Sequence, residues 1–187
     1  DKRCSLKISR THKDLVKRLF ELEVPEIYDG TVEVRAISRE AGSRTKIAVI
    51  SKNPDVDPIG ACIGPKGSRI ASIVEELHGE KIDIVRFSED DATFIKEALS
   101  PAVVTEVQLL PGTEKACRVI VPDNQLSLAI GNKGQNAKLA AKLTGYKIDI
   151  RSENEAREQA LEATDEQEEL FADETPAEDT AAEELDV

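Results

Sequence analysis

A short segment occurs twice in this chain of 187 residues, and the repeat limits the possible folds more than any other feature. Residues 63–67 read Ile-Gly-Pro-Lys-Gly, and residues 130–134 read Ile-Gly-Asn-Lys-Gly. Each copy contains a Gly-x-x-Gly tetrapeptide, here called the first loop (residues 64–67) and the second loop (residues 131–134). A helical pattern, a glycine and the sequence Lys-Ile-Asp-Ile follow each loop. Such a repeat predicts two copies of one small domain.

The hydrophobic periodicity predicts the same seven elements in each copy: helix, strand, strand, helix, loop, helix, strand. In the first copy, Thr11 is the predicted start of the first helix, Pro25 ends it, and the strands cover residues 32–36 and 46–50. Asp57 is predicted to cap the helix before the first loop. The fold is therefore predicted to be α+β, with a three-stranded sheet and helices on one face of it.

In the second copy, Ser88 and Asp123 are the predicted N-caps, and the strands cover residues 103–109 and 117–121. Gly79 and Gly145 are predicted to end the helices that follow the loops, in left-handed conformation. The predicted domains cover residues 11–87 and 88–151. Residues 1–10 are predicted to be the end of an upstream domain or a linker.

Acidic residues are concentrated at the C-terminus. Residues 152–187 contain fifteen Asp and Glu against a single basic residue, Arg157, and the segment includes Pro176. This composition predicts a disordered acidic tail, although Ala, Glu and Gln favour a transient helix over residues 153–170. Residues 1–151 carry 24 basic and 22 acidic residues, so the overall charge of −12 does not exclude binding of nucleic acid to the folded part.

Composition excludes several classes of protein. The three cysteines are far apart with no Cys-x-x-Cys pair, and the two histidines are distant from each other in sequence. Neither a disulfide framework nor a metal site is therefore predicted. Four Phe and two Tyr are too few for a domain that stacks bases on aromatic platforms. No apolar run is long enough to span a membrane and no signal peptide is present, which predicts a cytoplasmic protein. Because methionine is absent, we expect a fragment of a larger protein.

The loops are the candidate functional sites. A Gly-x-x-Gly turn before a helix presents backbone N–H groups where the helix dipole is positive, and phosphate binds well there. Lysine at the third position adds a charge, and apolar residues beside the loop can contact the bases of a single strand. The predicted RNA-binding residues are Ile63, Gly64, Pro65, Lys66, Gly67, Arg69 and Ile70 in the first copy, and Ile130, Gly131, Asn132, Lys133, Gly134, Gln135, Asn136 and Lys138 in the second.

The two loops differ in the residues that follow them. Ser68 and Arg69 follow the first loop, which is stiffened by a proline, so the first loop is predicted to hold phosphate. Gln135 and Asn136 follow the second loop, and their amides are predicted to contact bases or ribose.

Other interpretations of these residues agree less well with the pattern. An isolated Gly-x-x-Gly is usually an ordinary turn between helices, but the repeated context and the repeated lysine favour a phosphate site. Neither loop continues as Gly-Lys-Ser/Thr, which argues against a nucleotide-hydrolysing enzyme, and no catalytic residue or cofactor is predicted. Cys62 is interpreted as buried packing and not as a nucleophile, and Asp83 and Asp149 as outward residues of a strand.

Taken together, the two copies resemble the tandem KH region of the NusA family of bacterial transcription elongation and termination factors. The resemblance is carried by residues 9–12, 20–27, 57–64, 79–84, 98–102, 126–131 and 134–136. It implies two type II KH domains that bind single-stranded nascent RNA in pausing, termination and antitermination. A scaffold for other transcription proteins and the KH module of a ribosome-associated factor are the alternatives.

The resemblance also implies what surrounds this segment. An RNA-polymerase-binding domain and an S1 domain are expected upstream of residue 1, with residues 1–10 as the S1 exit. RNA polymerase is therefore an expected partner mainly through parts outside this chain, together with other elongation and antitermination factors. A monomer without membrane contact is expected.

Overall fold

The computed structural model describes residues 8–112 and 115–158 of the chain. Within them, two α+β units follow one another in the predicted order of elements. The first domain contains α1 (Lys13–Glu23), α2 (Pro25–Tyr28), β1 (Val32–Glu40), β2 (Arg44–Ser51), α3 (Pro58–Ile63), α4 (Ser68–Glu76) and β3 (Lys81–Arg86). The second domain contains α5 (Asp91–Ala98), β4 (Glu106–Leu110), β5 (Ala116–Val121), α6 (Leu126–Ile130), α7 (Gln135–Thr144) and β6 (Lys147–Ser152).

Each domain has a three-stranded mixed sheet. The order is β1-β2-β3 in the first domain and β4-β5-β6 in the second. In both sheets the first two strands are antiparallel and the last two are parallel, and the repeated lysines Lys81 and Lys147 pair with Arg44 and Ala116 respectively. The helix pair around the loop provides the crossover that a parallel pair of strands requires.

The first core lies between the helices of the first domain and one face of its sheet. Val16 and Phe20 project from α1 at helical spacing, and both are fully buried. They pack with Ile47 and Val49 of β2 and with Ile73 of α4. Alternate residues of β2 thus point at these helices, as the pleat of a strand requires.

The second core extends across both domains. Ala48 of β2 and Val85 of β3 point away from the first core and pack with buried residues of the second domain, including Ile95 of α5 and Ala140 of α7. The first sheet is therefore covered by helices on both faces, its own on one side and α5 and α7 on the other. The prediction of helices on one face was incomplete for this sheet.

A buried lysine joins the two domains at this boundary. Lys46 has no exposed side-chain surface, and its Nζ donates to the carbonyl oxygen of Ser100 at 2.6 Å and lies 3.4 Å from Asp83. Burial lowers the pKa of Lys46, although the carboxylate of Asp83 opposes that shift. The contact connects β2 of the first domain to the end of α5 in the second.

Three predicted helix starts were wrong. His12, not Thr11, caps α1, because its Nδ1 accepts from the N–H of Asp14. Asp90, not Ser88, caps α5. Asp123 lies inside a 3-10 turn (Asp123–Gln125) that precedes α6 and makes no capping hydrogen bond. The predicted caps differ from the observed N-cap residues His12, Asp90 and Gln125 by one or two positions.

Two other helix boundaries agree with the sequence. The carboxylate of Asp57 accepts from the N–H groups of Ile59 and Gly60, which confirms the predicted cap of α3. Gly145 ends α7 in left-handed conformation with φ of 78°. At the end of α4, His78 as well as Gly79 has positive φ, so the chain reverses over two residues and not one.

The acidic segment begins as ordered structure. Ser152 is the last residue of β6, and residues 153–158 are helical. The Ser152 hydroxyl accepts from the N–H of Glu155, and the Glu155 carboxylate accepts from the N–H of Ser152, which forms a capping box. The predicted disordered tail therefore does not begin at residue 152, and its remainder, residues 159–187, lies outside the described residues. None of the helices described is long and apolar enough to cross a membrane.

Candidate nucleic-acid interface

The two loops have the same backbone conformation. Each begins with a glycine of positive φ and extended ψ, continues into a 3-10 turn, and has both its lysine and its last glycine in the left-handed region. The φ/ψ values in degrees are 74/174 at Gly64 and 76/173 at Gly131, 52/25 at Lys66 and 52/28 at Lys133, and 76/15 at Gly67 and 73/17 at Gly134. The sequence repeat is thus a repeat of shape.

The first glycine of each loop is required by packing as well as by φ. A Cβ on Gly64 would lie 2.6 Å from Cγ of Arg69, and a Cβ on Gly131 would lie 2.8 Å from the backbone nitrogen of Asn136. The last glycine differs, because a Cβ on Gly67 would meet nothing within 4 Å. At that position only the left-handed conformation favours glycine.

Arg69 holds the first loop in place. Its Nη1 donates to the carbonyl oxygen of Ala61 in α3 at 2.6 Å and to the carboxylate of Glu26 in α2 at 2.8 Å. Its side chain is 24% exposed. Arg69 was predicted to bind RNA, and the structure shows that its charge is already paired with Glu26.

Asn136 occupies the equivalent position after the second loop and has the same structural role. It is 1% exposed, and its Nδ2 donates to the carbonyl oxygens of Leu99 and Ala129, both at 3.0 Å. The predicted contact of Asn136 with bases or ribose was wrong, because its donors bond inside the protein. Arg69 and Asn136 tie the helix after each loop to the helix before it.

Fewer backbone donors are free than the sequence suggested. The N–H of Gly67 donates to the carbonyl of Gly64 and that of Ser68 to the carbonyl of Pro65. The second loop repeats this arrangement at Gly134 and Gln135. These bonds close the 3-10 turn, so the lysine side chains supply more of the attraction for an anion than was expected.

Both loop lysines are exposed. Among the residues that the structure describes, no carboxylate lies within 4 Å of Lys66 or Lys133. Pro65 and Asn132, beside them, are exposed as well. Lys138, one turn further along α7, is exposed and donates to the carbonyl of Lys133 at 3.2 Å. Each loop thus presents at least one ammonium group that solvent or an anion can reach.

Apolar side chains lie next to the ammonium groups. Ile63 and Ile130 end the helices before the loops and are 37% and 38% exposed, and Ile70 is half-buried. An exposed isoleucine thus lies beside a lysine that has no acidic partner among the described residues, and such a pair could contact a base and a phosphate together. Gly64, Gly67, Gly131 and Gly134 shape this surface through their backbone conformation.

The second loop also touches the first domain. Nε2 of Gln135 donates to the carboxylate of Glu40 at 2.8 Å and to the hydroxyl of Ser43 at 2.7 Å. Glu40 precedes the β1–β2 turn (residues 41–43) and Ser43 ends it, and they are 95 and 92 positions away from Gln135 in sequence. Gln135 was predicted to contact RNA, and in the structure its amide N–H groups donate to these two residues of the first domain.

A buried ionic network fixes the β1–β2 turn. Glu80 is 1% exposed, and its carboxylate accepts from Nε and Nη2 of Arg39, both at 2.9 Å, and from the N–H of Gly42. Burial opposes ionisation of Glu80, but the hydrogen bonds from Arg39, Thr45 and Gly42 outweigh it and hold the pKa below its ordinary value. Because the network fixes the turn through Gly42, it also fixes the position of the groups that Gln135 bonds.

Cys62 and the repeated aspartates are structural. Burial raises the pKa of the Cys62 thiol to about 12, so the thiolate is absent at neutral pH. Asp83 accepts from Arg44 at 2.6 Å, and Asp149 accepts from Arg151 at 3.1 Å. In the described part of the chain no three His, Cys, Asp or Glu side chains are placed to hold a metal ion.

The mixed three-stranded sheets, the helix pairs and the two identical glycine loops define a tandem pair of type II KH domains. Family models agree with this assignment: the NusA-like first KH domain matches residues 10–87, and the NusA-like second KH domain matches residues 91–158. The chain belongs to the NusA family.

Three relatives named "Transcription termination/antitermination protein NusA" illustrate the similarity. That of Halalkalibacterium halodurans is 66% identical over 82% of this chain, that of Bacillus subtilis 59% over 91%, and that of Mycobacterium tuberculosis 57% over 78%. The chain spans 40%, 47% and 42% of these proteins, which is less than half of each. The crystal structure of APE1850 shares the fold, with a TM-score of 0.56 and 24% identity over 74% of this chain and 97% of that one.

Proposed function

We propose that this chain is a non-enzymatic, single-stranded-RNA-binding module of a bacterial transcription factor. It contacts nascent RNA and thereby acts in pausing, termination and antitermination in the cytoplasm. The observation that carries the proposal is the pair of identically shaped loops, each presenting an exposed lysine without an acidic partner in the described residues beside an exposed isoleucine. KH domains clamp about four nucleotides at such a loop.

Linkage of the two loops increases the affinity. The shared core holds both domains in one body, so a strand bound at one loop has a high effective concentration at the other. RNA polymerase and other elongation or antitermination factors are further proposed partners, chiefly through parts of the protein outside this chain. The names of the relatives support this role in transcription.

The test replaces the two central residues of each loop. One variant combines Pro65→Asp with Lys66→Asp, and the other combines Asn132→Asp with Lys133→Asp. Aspartate tolerates the left-handed conformation of the third loop position, and it places negative charge where phosphate is expected. Each single-loop variant is expected to lower the affinity for a single-stranded RNA about tenfold, and the combined variant more strongly. Circular dichroism verifies folding. Unchanged affinity in the folded combined variant contradicts the proposal.

A matched control makes the same change of charge elsewhere. The control combines Lys17→Asp with Leu22→Asp at two exposed residues of α1, and it lowers the net charge by three, as the change in the first loop does. It is expected to lower the affinity for RNA much less. The affinity of the unmodified chain should also fall with salt. About four to six phosphate contacts give a slope of log affinity against log salt of roughly −3 to −4 for a single strand.

A further inference from the structure

A recess of about 400 Å³ lies between the two domains beside the second loop. Its volume falls within the range of small-molecule sites, about 300–1,000 Å³, and is sufficient for one nucleotide. Both domains contribute side chains to it. The lining residues are Glu40, Ser43, Asn132, Lys133, Gln135 and Lys138. We call it the junction recess.

The wall from the first domain is held in a fixed position. Gln135 bonds both Glu40 and Ser43, and the adjacent turn is anchored through Gly42 to the buried carboxylate of Glu80. Only Oε2 of Glu40 accepts from Gln135. Within the described residues Oε1 of Glu40 has no hydrogen-bond donor, so one carboxylate oxygen is held ready to accept from a ligand.

The opposite wall is cationic. Lys133 and Lys138 line it, and neither ammonium forms an ion pair with Glu40 or with any other carboxylate that the structure describes. The junction recess therefore offers two cations on one side and the free carboxylate oxygen of Glu40 as an acceptor on the other. A ligand that suits both carries a phosphate at one end and a hydrogen-bond donor at the other, as a nucleotide does.

The first loop has no such recess wall. The residue equivalent to Lys138 is Ala71, and the equivalent of Gln135 is Ser68. The charged residue after the first loop, Arg69, is paired with Glu26. Among the described residues, this set of side chains thus occurs at the second loop and not at the first, and the packing of the first domain against the second loop creates it.

We propose that the junction recess is a nucleotide subsite in which Glu40 selects the base. This inference rests on the proposed binding of RNA. Lys133 and Lys138 hold the phosphate, and Oε1 of Glu40 accepts from the exocyclic amino group of the base. A carboxylate only accepts hydrogen bonds, so it favours adenine, cytosine and guanine, whose exocyclic amino groups donate, and disfavours uracil, which has carbonyl oxygens and no amino group.

The test compares ten-nucleotide RNAs of A, C and U by fluorescence anisotropy. The unmodified chain is expected to bind the A or C strand about fivefold more tightly than the U strand, the net effect of one hydrogen bond at a site open to water. Glu40→Gln is expected to bring that ratio close to one, because an amide can also donate to uracil. If Glu40 acted only by repelling phosphate, Glu40→Gln would strengthen the binding of all three strands alike and would leave the ratio unchanged.

Two further variants separate base selection from other effects. Glu75→Gln makes the same change at an exposed residue of α4 and is expected to preserve the ratio. Lys138→Ala introduces the residue found in the first copy and is expected to weaken all three strands about threefold without changing their order. Thermal unfolding verifies that each variant is folded.

The outcomes distinguish this inference from the proposed function. RNA binding with a ratio that Glu40→Gln leaves unchanged overturns base selection by Glu40 but not RNA binding. A preference of the unmodified chain for the U strand overturns it as well. Failure of the unmodified chain to bind any of the three strands overturns the proposed function and this inference together.

Discussion

Asn136 and Arg69 occupy equivalent positions after the two loops, and both bond the preceding helix although their side chains differ chemically. Asn136 is buried and donates to carbonyl oxygens, whereas Arg69 donates to a carbonyl of α3 and balances its charge with Glu26. Gly131 and Gly64 leave the space that these residues occupy. The glycine at the start of each loop and the residue five positions later therefore form one structural unit.

This pairing predicts unequal effects of alanine at the two glycines of the second loop. Gly134→Ala meets only a distant Cε of Lys138 at 3.7 Å, so it should cost about 1–2 kcal/mol for the left-handed conformation. Gly131→Ala also collides with the backbone of Asn136, which cannot move aside, and should cost more than about 3 kcal/mol. Urea unfolding measures both, and equal costs would contradict the packing role of Gly131.

Lys66 and Lys133 are the non-glycine residues at the third position of each loop, and both have φ of 52°. Asparagine adopts this conformation more readily than lysine. Lys133→Asn is therefore expected to leave the free energy of unfolding unchanged or raise it by up to about 0.5 kcal/mol, while it lowers the affinity for RNA. Unfolding and binding measured on the same sample test this opposite response. A parallel loss of stability and affinity would indicate a structural role for the lysine.

At the scale of elements, the β1–β2 turn links the start of the chain to the second loop. Besides Glu80, Arg39 bonds the carbonyl oxygens of Arg10 and His12, which precede α1. On its other side the turn contacts Gln135 through Glu40 and Ser43. The end of β1 and the turn after it therefore position both the residues before α1 and a wall of the junction recess.

The Glu80 network predicts a specific dependence of stability on pH. Because the pKa of Glu80 in the folded state lies below its unfolded value of about 4.3, its contribution is complete above that pH and is lost as the pH falls through the folded pKa. Glu80→Gln is expected to lower the free energy of unfolding by about 3 kcal/mol at pH 7, since it leaves Arg39 unpaired, and to lose less further stability between pH 5 and pH 3. Urea unfolding across that range tests this.

Glu75→Gln is the control for this experiment, because Glu75 is exposed on α4. Its stability should follow that of the unmodified chain at every pH. If Glu80→Gln and the unmodified chain lost the same stability between pH 5 and pH 3, the carboxylate of Glu80 would not be the group that titrates.

The order of elements and the loops could be predicted because their causes are local. Glycines, caps and apolar spacing all lie within one element, as at Asp57 and Gly145. The contact of Gln135 with Glu40 could not, since nothing in either neighbourhood marks a partner 95 positions away. Burial of Asn136 did have a signal: it lies on the apolar stripe of α7 at helical spacing from Leu139, Ala140 and Leu143.

At the scale of the whole molecule, the two domains share the second core. β2 contains the uninterrupted apolar run Ile47, Ala48 and Val49, which is typical of a strand buried on both faces. In β5, by contrast, Cys117, Val119 and Val121 are fully buried while Arg118 and Ile120 between them are only partly so. The difference between these strands indicates which of the two sheets lies inside the molecule.

The shared core predicts that the domains unfold together. Ala48→Glu places an unpaired carboxylate between β2 and the helices of the second domain, where it should cost about 3–5 kcal/mol. Ala71→Glu, on the exposed face of α4, is the matched control and should cost little. Hydrogen exchange measured by mass spectrometry should show Ala48→Glu speeding exchange in β2 and in α7 by the same factor, since both open in one transition. Faster exchange confined to the first domain would mean that the two domains open independently, and RNA bound across both loops would then gain less from their linkage.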